Sequence, residues 1–222
     1  MIPTEKINLV LTKKASNMND NNASISLREK ERQLFDVWQS RVDRFIADGV
    51  VDEKQFLQQK CRYVFVLKEA NDLNMSLVDF LKSGAPGNGG HTWNPVCRWL
   101  TGKETCRFSP EERAEILKRV AVMNLKKSDR EPDGNYTTNL GTLKEVVKRD
   151  HELIRQQLEI CAQYPPVVFV CCGPWLLTML RDYVFSQATI QYEAALPFMK
   201  PDSNQEIFLV AFFHPMLRNQ VS

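Results

Sequence analysis

Four apolar runs of the chain end in polar residues whose side chains could take part in catalysis or binding. The runs and their ends read VFVLKEAND, AVMNLKK, VFVCCGP and AFFHP. Their polar ends contribute two acids, a carboxamide, a glycine and a histidine, namely Glu69 and Asp72, Asn124, Gly173 and His214. Ligands of open α/β sheets bind outside the carboxyl ends of the strands. We therefore expect these groups to share one cleft at one edge of a sheet.

Each of these residues also has a structural interpretation. A histidine after a strand is often a capping residue, and Asn124 could cap a turn. Glu69 could form a surface ion pair with Lys68 or Arg62. The coincidence of an acid, an amide and a histidine at successive strand ends favours the functional interpretation.

The elements that would position these groups alternate between strands and helices. This pattern predicts an α/β fold, a three-layer α/β/α sandwich with a central, mainly parallel four-stranded sheet. The strands are continuous apolar runs, which is typical of strands that are covered on both faces. Capping boxes begin helices at Ser26 and Ser109, and a long helix is predicted from about Asn139 to Gln163. ATIQYEA could be an edge strand, whereas GAPGNGGHTWNP is predicted to be a loop.

The N-terminal segment differs in composition from the rest of the chain. Residues 1–25 include KKASNMNDNNAS, which is polar and rich in asparagine, so we expect a flexible arm there. Residues 26–222 contain no repeat and no linker long enough to separate two domains. We therefore expect a single α/β domain over 26–222.

Composition limits the classes of partner. The 222 residues are 43% hydrophobic and 25% charged, which is typical of a globular protein. A formal charge of +2 predicts no general attraction to polyanions, so nucleic acid would have to bind at local patches. Six cysteines without a C-x-x-C pair indicate reduced thiols rather than a zinc or iron–sulfur site. With no secretory signal and no apolar run of about 20 residues, we expect a cytoplasmic monomer without metal, cofactor or membrane contact.

The order of these motifs resembles the uracil-DNA glycosylase superfamily. FVLKEAND is similar to the first motif of that superfamily, in which many members carry G-Q-D-P-Y-H or G-E-A-P-G. VAVMNLKKSDREPDGN is similar to the middle segment, VVFVCCGPWLLTML to the following strand–glycine–helix unit, and AFFHPMLR to the last motif, which opens with His-Pro. The resemblance runs from about Cys61 to Arg218 and implies a parallel four-stranded sheet between helices.

The resemblance also implies how the site would work. Base excision requires a nucleotide flipped into a tight pocket. Asn124 would bind the edge of the base, and His214 would donate a hydrogen bond to the base oxygen as the leaving group gains negative charge. Glu69, or alternatively Asp72, would stabilise the cationic sugar or position the water. Ala70 would lie at the base pocket, where the best-known branch has its water-activating aspartate.

Further residues would contact DNA around the base. Trp93 in GGHTWNP is a candidate to stack on the base, although it could instead pack its helix into the core. A phosphate-binding patch is predicted from Lys126, Lys127, Arg130 and Arg218, with a solvated loop as the alternative for the lysines.

Two functions are compatible with this sequence. The first is a monofunctional DNA glycosylase that removes uracil or another deaminated base from single- or double-stranded DNA. The second is a catalytically inactive member of the superfamily that binds nucleic acid, a nucleotide or a protein. Lys68, Ala70 and Met216 favour the second, because catalysis would be expected to require other residues at these positions.

Overall fold

The computed structural model describes residues 25–70, 73–104, 107–128 and 138–184, together with the backbone of 193–194 and 207–212. The strands are β1 Gly49–Val50, β2 Arg62–Glu69, β3 Ala121–Lys126, β4 Val167–Cys172, β5 Glu193–Ala194 and β6 Ile207–Phe212. The helices are α1 Leu27–Gln39, α2 Glu53–Leu57, α3 Leu77–Lys82, α4 Gly89–Thr101, α5 Pro110–Leu117, α6 Leu140–Ala162 and α7 Pro174–Met179. A π-helical turn, Leu180–Val184, continues α7. Apart from Ile25, the predicted N-terminal arm lies outside the described residues.

The strands form one sheet in the order β1-β3-β2-β4-β6-β5. The neighbours β3–β2, β2–β4, β4–β6 and β6–β5 are parallel, whereas β1 is antiparallel to β3. The predicted α/β class is confirmed. The sheet is mixed, however, and the four longer strands are joined by two strands of two residues each. One of these short strands, β5, lies within the predicted edge segment ATIQYEA.

Apolar side chains of the central strands alternate between two core clusters. Val64 and Val66 of β2 belong to the first core, whose helical members come mainly from α1 and α6. Phe65, which lies between them, belongs to the second core, which includes residues of α3, α4 and α5. The strands read as continuous apolar runs because both of their faces are buried.

Side-chain caps begin the helices that flank the sheet. The capping box at Ser109 is complete, with Ser109 Oγ accepting from Glu112 N at 3.2 Å and Glu112 accepting from Ser109 N at 2.8 Å. At α1, Ser26 Oγ accepts from Glu29 N, but the Glu29 carboxylate pairs with Arg32 instead of returning to the cap. Asn139 caps α6, close to the predicted start of that helix.

The predicted loop GAPGNGGHTWNP is wrong over its second half, because α4 already begins at Gly89. Glycine has a low helix propensity, and this composition therefore predicts a loop. In the structure Trp93, Val96 and Cys97 lie on one buried side of α4 and pack into the second core. Burial of this face outweighs the local preference of the glycines.

A buried carboxyl group lies where α1 meets β1. Both carboxyl oxygens of Glu31 lie 3.2 Å from the backbone nitrogen of Val50, whose N–H they accept. Gly49 lies against this group, and a Cβ at Gly49 would come within 2.4 Å of Glu31 Oε1. Burial raises the pKa of Glu31 to about 8, although the Val50 N–H opposes this effect. The negative charge of Asp48 raises the pKa further, while Lys127 lowers it.

The raised pKa of Glu31 predicts a pH-dependent stability. Between about pH 5 and pH 8 the folded protein keeps a proton that the unfolded chain, with an ordinary pKa of 4.5, has lost. The free energy of unfolding should therefore fall as the pH rises through this range, by up to about 1.4 kcal/mol per pH unit. Glu31→Gln should remove this slope, as measured by urea denaturation at several pH values.

The matched control is Glu145→Gln on the exposed side of α6, where the side chain is 69% exposed. This variant should keep the pH slope of the wild type. Equal slopes in Glu31→Gln and the wild type would contradict the assignment.

Candidate functional site

The register of the sheet brings the carboxyl ends of its longer strands to one edge. Glu69 at the end of β2 is the partner of Lys126 at the end of β3. Cys172 at the end of β4 is the partner of Phe212 at the end of β6. Because β2 and β4 are parallel neighbours, all four ends lie along the same edge of the sheet.

Glu69 is buried at this edge, with its side chain 1% exposed. Its Oε1 accepts from Thr138 N at 3.0 Å and lies 2.8 Å from Lys68 Nζ. Its Oε2 accepts from the Thr138 hydroxyl and from Lys126 Nζ, the latter at 3.2 Å. Two donors at each oxygen fill the lone-pair directions of a carboxylate. Glu69 thus joins the end of β2 to the residue before the cap of α6.

The hydrogen bonds of Glu69 keep it ionised. Burial raises the pKa of this carboxyl, but hydrogen bonds from Lys68 and Thr138 outweigh burial and hold the pKa below its usual value. The ion pair with Lys68, which was the structural alternative for Glu69, is present, with Glu69 buried and Lys68 partly exposed. With its oxygens occupied, Glu69 does not offer a free carboxylate to a substrate in this structure.

Asn124 lies on β3, two residues before the end of the strand, and is completely buried. Its backbone N–H donates to Asp48 Oδ2 at 2.6 Å. Its side-chain Oδ1 and Nδ2 have no hydrogen-bond partner among the described residues. Burying an unpaired amide costs about 1–3 kcal/mol, so a native structure retains one only where something offsets the cost.

The alternation of β3 determines which face carries this amide. Val122 belongs to the second core, whereas Met123 and Leu125 belong to the first. Asn124 therefore lies on the face of the second core, next to Leu67 of β2. Glu69 and Lys126 follow on the same face, so the structure brings these three predicted site residues together.

The two lysines do not have the position predicted for phosphate binding. The side chain of Lys126 is only 5% exposed and pairs with Glu69. Lys127 is completely buried, and its Nζ lies 2.7 Å from both oxygens of Asp48 and from Gln157 Oε1. A cation that contacts the DNA backbone must be accessible. In this structure neither ammonium group is accessible to a phosphate, because each neutralises a buried carboxylate.

Trp93 and Ala70 both lie in the second core. Trp93 is only 4% exposed, which corresponds to the alternative interpretation that it packs its helix into the core. Trp99, on the same helix, packs edge-on against Tyr63 and Phe65, with centroid distances of 4.8 and 5.8 Å. In this structure Trp93 therefore has no exposed ring face on which a base could stack.

Four predicted site residues lie outside the described residues, namely Asp72, His214, Arg130 and Arg218. The backbone of β6 is described as far as Phe212, two residues before His214.

Sequence reasoning missed three residues that organise the site. Asp48, Thr138 and Gln157 supply the partners of Asn124, Glu69 and Lys127, respectively. Asp48 stands in the segment FIADGVVDE, and Thr138 stands one residue before a helix cap, so both are typical of turns. The one available signal was that two consecutive lysines stand at the end of a buried strand and must either leave the core or pair with anions there.

The cysteines at this edge are not reactive groups. Among the described residues five cysteines are free, and Cys171 and Cys172 are buried at the end of β4. Burial raises the pKa of both thiols, that of Cys172 to about 12. They therefore remain protonated and pack as small apolar side chains.

Comparisons with known proteins do not assign the chain. No protein-family model matches it, and no match was found among curated proteins. Within the described ranges no helix is long and apolar enough to cross a membrane. In the same part of the chain no three His, Cys, Asp or Glu side chains are grouped so that they could hold a metal ion.

The unpaired amide predicts an increase in stability on its removal. Asn124→Leu replaces the carboxamide by an apolar group of similar shape, so the free energy of unfolding should rise by about 1–3 kcal/mol. Chemical denaturation measures this change. Asn139→Ala is the matched control, because Asn139 Oδ1 accepts from Thr142 N at 2.9 Å and its loss should cost about 1 kcal/mol. A loss of stability in Asn124→Leu would show that the amide has a partner outside the described residues.

Proposed function

We propose that this protein is a DNA glycosylase that hydrolyses the N-glycosidic bond of a flipped uracil or another deaminated base. The observation that carries this proposal is the buried carboxamide of Asn124, which has no partner among the described residues and lies near the edge of the sheet where ligands bind. A flipped base would supply the missing hydrogen bonds.

The carboxamide matches the edge of a deaminated base. Asn124 offers one acceptor oxygen and an amide donor side by side. Uracil presents an N–H donor next to a carbonyl acceptor, and hypoxanthine presents the same pair. A site that leaves its own polar group unpaired in the absence of the base gains most from a ligand that satisfies both atoms.

In the sequence, the catalytic groups of this proposal follow strands that end at the same edge. His214 follows β6, whose last residue Phe212 is the register partner of Cys172. Its imidazole would donate a hydrogen bond to the base oxygen as the glycosidic bond breaks, a contribution of about 3 kcal/mol in comparable enzymes. Since the oxygens of Glu69 are occupied, Asp72 is the carboxylate that would stabilise the cationic sugar or orient the water.

The proposal includes the finer architecture of the uracil-DNA glycosylase superfamily. A three-layer α/β/α arrangement in one domain over 26–222 is supported by core clusters that cover both faces of β2 and include helices from each side. The resemblance of the four motifs supports membership of the superfamily. Phosphate contacts would then come from Arg130 and Arg218 rather than from the buried lysines.

A second candidate function is a binding module that recognises a base without cleaving it. The observation that favours it is the saturation of Glu69 by Thr138, Lys68 and Lys126. In this alternative the acidic position of the first motif has a structural role, and Asn124 provides recognition alone.

An excision assay separates the two functions. The protein is incubated with single- and double-stranded oligonucleotides that contain uracil, hypoxanthine or xanthine, and alkali-labile abasic sites are measured. We expect cleavage of at least one base and a loss of about 100-fold in rate for His214→Ala. His151→Ala on the exposed side of α6 is the matched histidine control and should retain the rate.

Two results would contradict the glycosylase. One is the absence of product with all three bases. The other is an equal rate for His214→Ala and the wild type. Tight binding of a base-containing oligonucleotide without product would favour the second candidate instead.

A pair of carboxylate variants tests the division of roles between Glu69 and Asp72. Glu69→Gln removes a buried anion that faces two lysines, so the free energy of unfolding should fall by about 3–5 kcal/mol. Asp72→Asn should leave stability within about 0.5 kcal/mol and lower kcat by about 100-fold. Urea denaturation and single-turnover kinetics provide the two measurements. If Glu69→Gln is as stable as the wild type but inactive, Glu69 is the catalytic carboxylate after all.

A further inference from the structure

The backbone N–H of Asn124 lies beyond the end of its neighbouring strand. On the outer side of β3, β1 pairs only with Ala121 and Val122. A buried N–H without an acceptor costs about as much as a lost hydrogen bond, so β3 needs another acceptor at this point. The carboxylate of Asp48 supplies it, with Oδ2 at 2.6 Å from the nitrogen of Asn124.

Asp48 is itself held by two further side chains. Lys127 Nζ lies 2.7 Å from each carboxylate oxygen, and Gln157 Nε2 donates to Oδ1 at 2.8 Å. Gln157 Oε1 in turn accepts from Lys127 Nζ at 2.7 Å. The three polar groups therefore close a ring of hydrogen bonds that allows Asp48 a single orientation.

Aromatic rings cover this ring of hydrogen bonds. The Lys127 ammonium lies 4.7 Å from the ring centroid of Trp38 and 5.5 Å from that of Phe35. Asp48 is 3% exposed, so water does not screen the network. A charge-assisted hydrogen bond is strong in such surroundings.

The side chain of Asn124 makes no hydrogen bond of its own to the described residues. Its direction is therefore determined by its backbone and by packing. We propose that Asp48 is a positioning residue for base recognition: by fixing the backbone at Asn124 it aims the carboxamide at the ligand. The inference rests on the proposed function, in which Asn124 reads the base.

Two double variants separate positioning from stabilisation. Asp48→Asn with Lys127→Met keeps an acceptor for the Asn124 N–H, whereas Asp48→Leu with Lys127→Met removes it. Both remove the anion and the cation together, so neither leaves an unpaired buried charge. If Asp48 only stabilises the fold, the two variants should differ in their free energy of unfolding. The conformation of Asn124 in the folded protein should then be the same in both.

The first measurement is NMR of the full-length ¹⁵N-labelled protein. We expect the backbone N–H of Asn124 to be protected from hydrogen exchange, with one resolved pair of side-chain NH₂ signals, in the wild type and in the Asp48→Asn pair. In the Asp48→Leu pair the protection should be lost and the NH₂ signals should broaden or shift. The same Asn124 signals in both pairs would overturn the proposal.

The second measurement is the affinity for an oligonucleotide that carries 2′-fluorodeoxyuridine. The fluorine disfavours a cationic sugar, so binding is measured without cleavage. The Asp48→Leu pair should bind roughly tenfold to a hundredfold more weakly than the Asp48→Asn pair, which is the scale of one charge-assisted or well-aligned hydrogen bond. Equal affinities of the two pairs would also overturn the proposal.

These two measurements distinguish failure of this inference from failure of the proposed function. If the wild type does not bind the oligonucleotide, base recognition is disproved, and the NMR comparison still decides whether Asp48 orients Asn124. If the Asp48→Leu pair does not fold, Gln157→Leu replaces it, because it removes the hydrogen bond to Asp48 Oδ1 and so weakens the hold of Asp48 on the Asn124 N–H. Hydrogen-exchange protection of that N–H and side-chain NH₂ signals equal to those of the wild type would then overturn the positioning role.

Discussion

The buried ion pair between Asp48 and Lys127 is the interaction on which the site edge depends. It joins the segment before β1 to the residue after β3, and Gln157 connects both to α6. Removing two charges from water costs several kcal/mol for each ion, so such a pair is tolerated only with good geometry and further hydrogen bonds. Both conditions are met here, because each oxygen of Asp48 has more than one donor. The pair therefore holds the end of β3 in place, and water does not reach either side chain.

Lys126, the neighbouring lysine in the sequence, has the corresponding role on the other face of the sheet. Consecutive residues of a strand point to opposite faces, so Lys126 reaches Glu69 while Lys127 reaches Asp48. The end of β3 is thus fastened on both sides. Asn124 lies two residues before the first of these lysines, and its carboxamide is left without a partner among the described residues. The proposed function depends on this contrast between saturated charges and one unsatisfied buried amide, because a buried unpaired group needs a compensating gain.

Much of the fold could be predicted from local patterns. The apolar runs gave the longer strands, the Ser109 capping box is present, and α6 begins and ends within a residue of its predicted limits. The start of α4 could not be predicted, because burial of Trp93 overrides the poor helix propensity of the glycines before it. Of the two short strands, the sequence indicates only β5, as part of a possible edge strand. Strand β1 could not be predicted, since two residues carry no periodicity.

The sequence by itself determined which kinds of side chain stand at the strand ends and in which order. It also determined, through the uninterrupted apolar runs, that the strands are covered on both faces. Only the tertiary structure decided which of those side chains are available to a ligand. Glu69 is bound by Thr138, 69 residues away, and Lys127 by Asp48, 79 residues away. Availability depends on such partners, and the pairing of distant residues is set by the topology of the sheet and not by any local pattern.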